Sequence, residues 1–226
     1  MRDIIIGDIH GCAEELNALI AQVSLTGDDR LILLGDLFDR GPDSWEVFQT
    51  VMELASSMGE RFILLRGNHE DYLMQEKLSL MQRLTWKQVG KDATVKSFRN
   101  HGEEMESARP WLTEYCVLFT KGEGWQAVHA GLLVDPIEMN DTNTLIHDHE
   151  IVKMNIYSGP LTVTSHIALQ EPMWFPGDQE DPEILPYNED RPLPERGVIC
   201  IDTGAGKGGR LTAMIIENGI FRLETV

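Results

Sequence analysis

Three short apolar runs in the first third of the chain each stop at a glycine and then meet polar, hydrogen-bonding residues. Residues 2–6 end in three isoleucines and run into Gly7-Asp8-Ile9-His10-Gly11. Residues 31–34 are all aliphatic and run into Gly35-Asp36-Leu37-Phe38-Asp39-Arg40-Gly41. Residues 61–65 run into Arg66-Gly67-Asn68-His69-Glu70. Aliphatic runs of this length predict strands buried on both faces, as in parallel sheets. Helical periodicity fills the gaps between them. Residues 12–23 put Leu16, Leu19, Ile20 and Val23 on one face, and residues 42–58 carry Trp45, Val47, Phe48, Val51, Met52 and Leu54. Pro42 suits a first helical turn. The alternation predicts βαβ units, and in such sheets chemistry gathers beyond the carboxyl ends of the strands.

The pattern continues less regularly. Residues 71–83 predict a further helix, with Leu73, Met74, Leu78 and Met81 apolar. Residues 115–120 and 125–128 read as a hairpin around 121–124, and its second strand delivers His129-Ala130-Gly131. Residues 161–164 form a β-branched strand ending in Ser165-His166, and residues 198–202, 211–216 and 220–224 supply the closing strands. Residues 171–197 hold six prolines and eight acidic residues, which excludes a regular helix or a central strand. A loop of that length is expected to be functional or mobile. Gly204-Ala205-Gly206-Lys207-Gly208 lacks the spacing of a phosphate-cradling loop and reads as a hairpin turn. His147-Asp148-His149 reads as an exposed polar helix or loop.

Composition narrows the function classes. The 226 residues include 37 acidic and 19 basic ones, a formal charge of −18, which disfavours a general nucleic-acid binder. An acidic surface does draw divalent cations. No apolar run approaches membrane-spanning length and no cleavable leader is evident, so no membrane partner is expected and the location is expected to be cytoplasmic. Cys12, Cys116 and Cys200 are scattered and read as reduced thiols.

The strand ends carry the chemistry. Asp8 and His10 alternate onto one side of an extended segment, as a carboxylate–imidazole pair does when it ligates a borderline metal. Asp36, Asp39 and Arg40 beyond a buried strand need partners such as a cation and a phosphate. The three strand-end blocks, with His129-Ala130-Gly131 as a fourth, resemble the signatures of the phosphoprotein phosphatase family of calcineurin-like metallophosphoesterases. Trp86 to Gly90, Thr94 to Phe98, residues 201–204 and residues 208–213 are similar to its bacterial and phage members.

That resemblance implies a single 1–226 domain folded as a four-layer α/β/β/α sandwich of two mixed sheets. It implies two divalent metal ions, manganese first, with iron or zinc also suitable. Asp8 and His10 would hold one, Asp36 would bridge, and Asn68, His129 and His166 would hold the other. A bridging hydroxide would attack phosphorus directly. His69, oriented by Asp39, would protonate the leaving oxygen, and Arg40 would bind the phosphate. His166 departs from the family's Gly-His-Thr turn, so His147 and His149 stay open as alternative ligands. The arginine that relatives carry between residues 132 and 165 is missing; Lys153 is the one lysine or arginine there. Asp39 and Glu70 favour a serine/threonine protein phosphatase acting on phosphorylated proteins or small phosphoesters. The alternative on the same fold is a diadenosine tetraphosphatase or a related nucleotide or RNA-cap pyrophosphohydrolase. A catalytically dead binding module would be expected to lack one of these ligands.

Overall fold

The computed structural model describes residues 1–226. In chain order the elements are β1 (Asp3–Ile6), α1 (Ala13–Gln22), β2 (Arg30–Leu33), α2 (Ser44–Met58), β3 (Phe62–Leu65), α3 (Asn68–Met74), α4 (Leu80–Gln88), α5 (Lys91–Asn100), α6 (Arg109–Tyr115), β4 (Cys116–Val117), β5 (Phe119–Gly122) and β6 (Trp125–Val128). They continue as α7 (Thr142–His147), α8 (Glu150–Met154), β7 (Thr162–Thr164), β8 (Met173–Phe175), β9 (Glu183–Ile184), β10 (Arg191–Pro192), β11 (Val198–Cys200), β12 (Thr212–Glu217) and β13 (Ile220–Thr225).

Two sheets result. The first has seven strands in the order β10-β13-β12-β1-β2-β3-β4, the second six in the order β5-β6-β7-β11-β8-β9. Both are mixed. β1, β2, β3 and β4 run parallel, and β12 joins β1 antiparallel. In the second sheet β6, β7 and β11 are parallel, flanked by antiparallel β5 and β8.

Strand alternation builds the layers. Ile4, Ile6, Leu31, Leu33 and Leu64 face outward into a core shared with the helices α1 to α6. Ile5, Ile32, Leu34 and Leu65 face the other way and meet Ala127, Val163, Ile199 and Ile201 of the second sheet. Val128, Val198 and Cys200 turn to the far side, against Leu145, Ile146, Ile151 and Val152 of α7 and α8. Ile4, Ile5 and Ile6 are fully buried, each contributing about 1.5–3 kcal/mol of burial free energy. The four-layer α/β/β/α sandwich is the architecture expected, and the all-aliphatic runs are strands buried on both faces.

Four local expectations are corrected. The helix expected over 71–83 is two helices, because Ser79 and Gln82 form a reciprocal capping box that starts α4 afresh. The first hairpin strand expected over 115–120 is divided: Tyr115 ends α6, β4 pairs with β3 in the first sheet, and β5 pairs with β6 in the second. The 203–210 connection is not a hairpin, because β11 and β12 belong to different sheets. Residues 171–197 are not a free loop. They supply β8, β9 and β10, and Leu185 is buried in the inter-sheet core. Arg196 pairs with Asp178 and Glu180, and Arg222 pairs with Asp190. No helix is long and apolar enough to cross a membrane.

Candidate metal centre

The carboxyl ends of β1, β2 and β3 deliver Asp8, Asp36 and Asn68. The ends of β6 and β7 deliver His129 and His166 from the second sheet. The two edges are tied together: the Asp8 amide donates to Ser165 Oγ at 2.9 Å, and the Ser165 amide to the His129 carbonyl at 2.8 Å. The sharp reversals at these ends need unusual backbone. His10, Asp36, Asp39, Arg40 and His166 all have φ between 45° and 72°. Left-handed backbone at non-glycine residues costs about 1 kcal/mol or more each and persists where surrounding contacts over-determine it. Gly35, at φ 104°, lies so close to the Gly67 amide that a Cβ would sit 2.6 Å from it. That approach lets the Asp36 and Asn68 turns touch.

Glu70 fixes both turns. Its buried carboxylate accepts from the amides of Asp36 at 2.7 Å, Leu37 at 2.8 Å and Gly67 at 3.1 Å. Arg66 pairs with Asp71, a structural role.

The histidine rings are aimed by backbone carbonyls. His10 Nδ1 donates to Phe38 O and His129 Nδ1 to Leu34 O, each at 2.8 Å. Each Nε2 therefore presents a lone pair to the interior. His10 Nε2 lies 3.5 Å from Asp8 Oδ2 and 3.6 Å from Asp36 Oδ2. His129 Nε2 lies 3.2 Å from Asn68 Oδ1 and 3.5 Å from Asp36 Oδ1. Asp8 Oδ2 and His166 Nε2 are buried without any hydrogen-bond partner. Acceptors converging on acceptors suit a cation held between them, and a carbonyl-oriented imidazole is the usual second-sphere device for a metal ligand.

Two donor groups meet the geometric requirement, with ligand atoms mutually within 4.8 Å: His10, Asp36 and His69, and Asp36, His129 and His166. Asp36 belongs to both, the position expected of a bridge. Asp8 reaches the first group through His10. His69 is a member as well, although the sequence reading gives it the acid role.

Electrostatics agree with cation binding. Burial, reinforced by the Asp8 and Glu70 carboxylates, pushes Asp36 well above the usual carboxylate range. Burial lowers His10 to about 4, and burial with the neighbouring His129 lowers His166 to about 2. Both rings are thus neutral near pH 7, the form that ligates.

His69 and Asp39 form a buried pair. His69 Nδ1 meets Asp39 Oδ2 at 2.5 Å, leaving Nε2 directed at the centre, 3.7 Å from Asp36 Oδ2. Trp86 Nε1 donates to Asp39 Oδ2 and Thr94 Oγ1 to Asp39 Oδ1, each at 2.6 Å. The Trp–Gly–Thr stretch seen in the sequence is therefore the cradle of Asp39. Arg40 is half-buried and its guanidinium touches His10.

Sequence reasoning missed Asp202. It is buried beyond β11, Oδ2 has no partner, and burial together with Asp8 raises it to about 7. Its signal was present, since it too ends an apolar run. The reading of His147 and His149 as an exposed polar helix or loop is corrected in part. His149 is exposed, but its ring centre lies 4.6 Å from that of His166, and His147 lies 6.5 Å away.

A two-sheet sandwich with carboxylates and imidazoles pooled at a shared strand edge is an arrangement suited to holding divalent metal ions. A profile of calcineurin-like phosphoesterases matches residues 1–191, and the chain belongs to that family. The symmetrical bis(5'-nucleosyl)-tetraphosphatase of Coxiella burnetii is 30% identical over 188 residues, covering 81% of this chain and 59% of that protein. The enzyme of the same name from Pectobacterium atrosepticum is 48% identical over 75 residues, 33% of this chain and 25% of that protein. The matches thus span at most 59% of the length of these relatives. A crystal structure of a candidate diadenosine tetraphosphatase shares the fold, with a TM-score of 0.64 at 20% identity over 99% of this chain and 93% of the other.

Proposed function

We propose that the protein hydrolyses dinucleoside tetraphosphates, with dinuclear metal assistance, by cleaving the central phosphoanhydride into two nucleoside diphosphates. The 188-residue similarity to an enzyme of that name carries this reading. It favours the alternative raised from the sequence over a phosphoprotein substrate. One support for that preference was Glu70, and its task of clamping three amides is independent of substrate.

In this reading Asp8, His10 and Asp36 would hold one cation, and Asp36, Asn68, His129 and His166 the other. The cations would supply charge neutralisation of phosphate oxygens and activation of a water nucleophile. Arg40 binds a non-bridging phosphate oxygen through its planar fork. Asp39 fixes the His69 ring through Nδ1, so the transferable proton sits on Nε2. As the bond from phosphorus to the leaving oxygen breaks, that proton passes to the leaving oxygen.

The Asp39–His69 pair keeps a second reading in view. A well-oriented acid matters most when the leaving group is an alkoxide, as in phosphoserine or phosphothreonine, and less for a nucleoside diphosphate. Parallel assays with added divalent metal separate the two. Diadenosine tetraphosphate should be cleaved at least tenfold more efficiently than a phosphoserine peptide, with ADP as the sole nucleotide product. Preference for the peptide, or release of ATP and AMP, would refute the proposal.

A further inference from the structure

In a protein with 37 acidic and 19 basic residues, ten of the basic side chains lie within 4.0 Å of a carboxylate. Four that do not, Lys77, Arg83, Lys91 and Arg109, line a single cleft of about 510 Å³ where α3, α4, α5 and α6 meet. Glu76 and Glu106 also line it, so the cleft keeps a net of two positive charges. Three of the cations are held by contacts that leave hydrogen-bond donors free. Arg109 Nε donates to Leu73 O at 2.8 Å and Arg83 Nε to Leu78 O at 3.2 Å, and neither uses its terminal nitrogens. Lys91 Nζ stands 4.4 Å from the centre of the Trp86 ring. Lys91 and Arg109 are half-buried. Partly desolvated cations with free donors in a concave wall concentrate positive potential.

The floor of this cleft is the back of the acid pair. Tyr72 and Trp86 stack with centres 5.6 Å apart. Trp86 donates to Asp39, and the Tyr72 ring lies 6.3 Å from His69. We propose that the cleft is a second anion site, which holds the far nucleotide end of a substrate whose central phosphates lie at the metal centre. This assignment of occupant rests on the dinucleoside tetraphosphate reading. Guanidinium forks and an ammonium suit phosphate oxygens, and two rim carboxylates leave room for an anion of limited charge.

The test uses the metal-loaded protein and its Lys77→Gln/Arg83→Gln variant, neither residue belonging to the metal centre or the acid pair. Calorimetric titration with ADP in excess divalent metal should show two binding events in the parent protein. In the variant the cleft event should be absent or at least tenfold weaker. The variant's kcat/KM on diadenosine tetraphosphate should fall at least tenfold, mainly through KM, while that on p-nitrophenyl phosphate stays within twofold. Unchanged ADP binding, or equal losses on the two substrates, would overturn the proposal. Titration involves no turnover. A parent enzyme inert toward diadenosine tetraphosphate would therefore overturn the substrate reading, while loss of ADP binding in the variant would still support the anion site.

Discussion

Replacing Asp39 by asparagine isolates the charge of the acid pair, because the amide has the same shape. Asp39 is fully buried, and its Oδ2 accepts from both His69 Nδ1 and Trp86 Nε1. An asparagine oxygen placed there can still accept both bonds, and its NH2 can donate to Thr94 Oγ1 in place of the bond received from it. What disappears is the negative charge. A hydrogen bond to a charged acceptor contributes about 1.5–3 kcal/mol and a neutral one about 1 kcal/mol. Two bonds weakened in this way give a loss of about 1–4 kcal/mol, or a fall in Tm of about 2–16 °C for a chain of this size. The His69 ring, in the acid role proposed for it, also loses the carboxylate beside it. General-acid catalysis is worth about 10²–10⁴-fold, so hydrolysis of an alkyl phosphate should drop about 100-fold and that of p-nitrophenyl phosphate less than tenfold. Differential scanning calorimetry and steady-state kinetics on the two substrates read both effects. An unchanged Tm with equal losses on both substrates would refute the role assigned to the pair.

Other perturbations follow from the same geometry. His166→Ala should retain about one metal equivalent instead of two by elemental analysis; two tightly held ions would shift the ligand assignment to His147 or His149. Gly90 has φ 115°, and a Cβ there would collide with the Arg40 backbone, so Gly90→Ala should destabilise by about 1–3 kcal/mol and raise KM several-fold, whereas Gly102→Ala, with open space around it, should leave KM alone. The Arg2 guanidinium, 2.6 Å away, holds Asp29 at about 2, below its unfolded value near 3.9, so this carboxylate contributes about 2 kcal/mol of stability above pH 4. That contribution falls away between about pH 4 and pH 2, so the Tm gap between the parent protein and Asp29→Asn should be full at pH 6 and close by pH 2; a gap independent of pH would contradict the linkage.

Much of this architecture was legible in the sequence because its signals are local. Ile4 to Ile6 and Leu31 to Leu34 announce buried strands, and each polar block begins at the glycine where its strand must stop. The same locality made Asp8, His10, Asp36, Asn68 and His129 visible as a set. What stayed hidden depends on partners distant in sequence. Asp202 is informative only once β11 is known to lie beside β7, with Asp8 packed against the end of that sheet. Trp86 and Thr94 gain meaning only from Asp39, 47 and 55 residues away along the chain. Residues 171–197 look like a loop because prolines and acids mask three very short strands, and short edge pairings leave little periodicity to detect. The split of residues 71–83 into two helices was within reach, since Ser79 and Gln82 have the spacing of a capping box. Substrate preference is not legible in Glu70, because its three amide bonds give it a structural task whatever the substrate.

The central claim is that Asp8, His10, Asp36, Asn68, His129 and His166 hold two cations without which phosphoester hydrolysis does not occur. Titrating divalent metal into chelator-stripped protein while measuring hydrolysis of p-nitrophenyl phosphate tests it directly. The parent protein should be inactive when stripped, recover fully as about two equivalents bind, and show no recovery in the Asp36→Asn variant. Undiminished turnover by the stripped protein, or full recovery of the Asp36→Asn variant, would contradict the account.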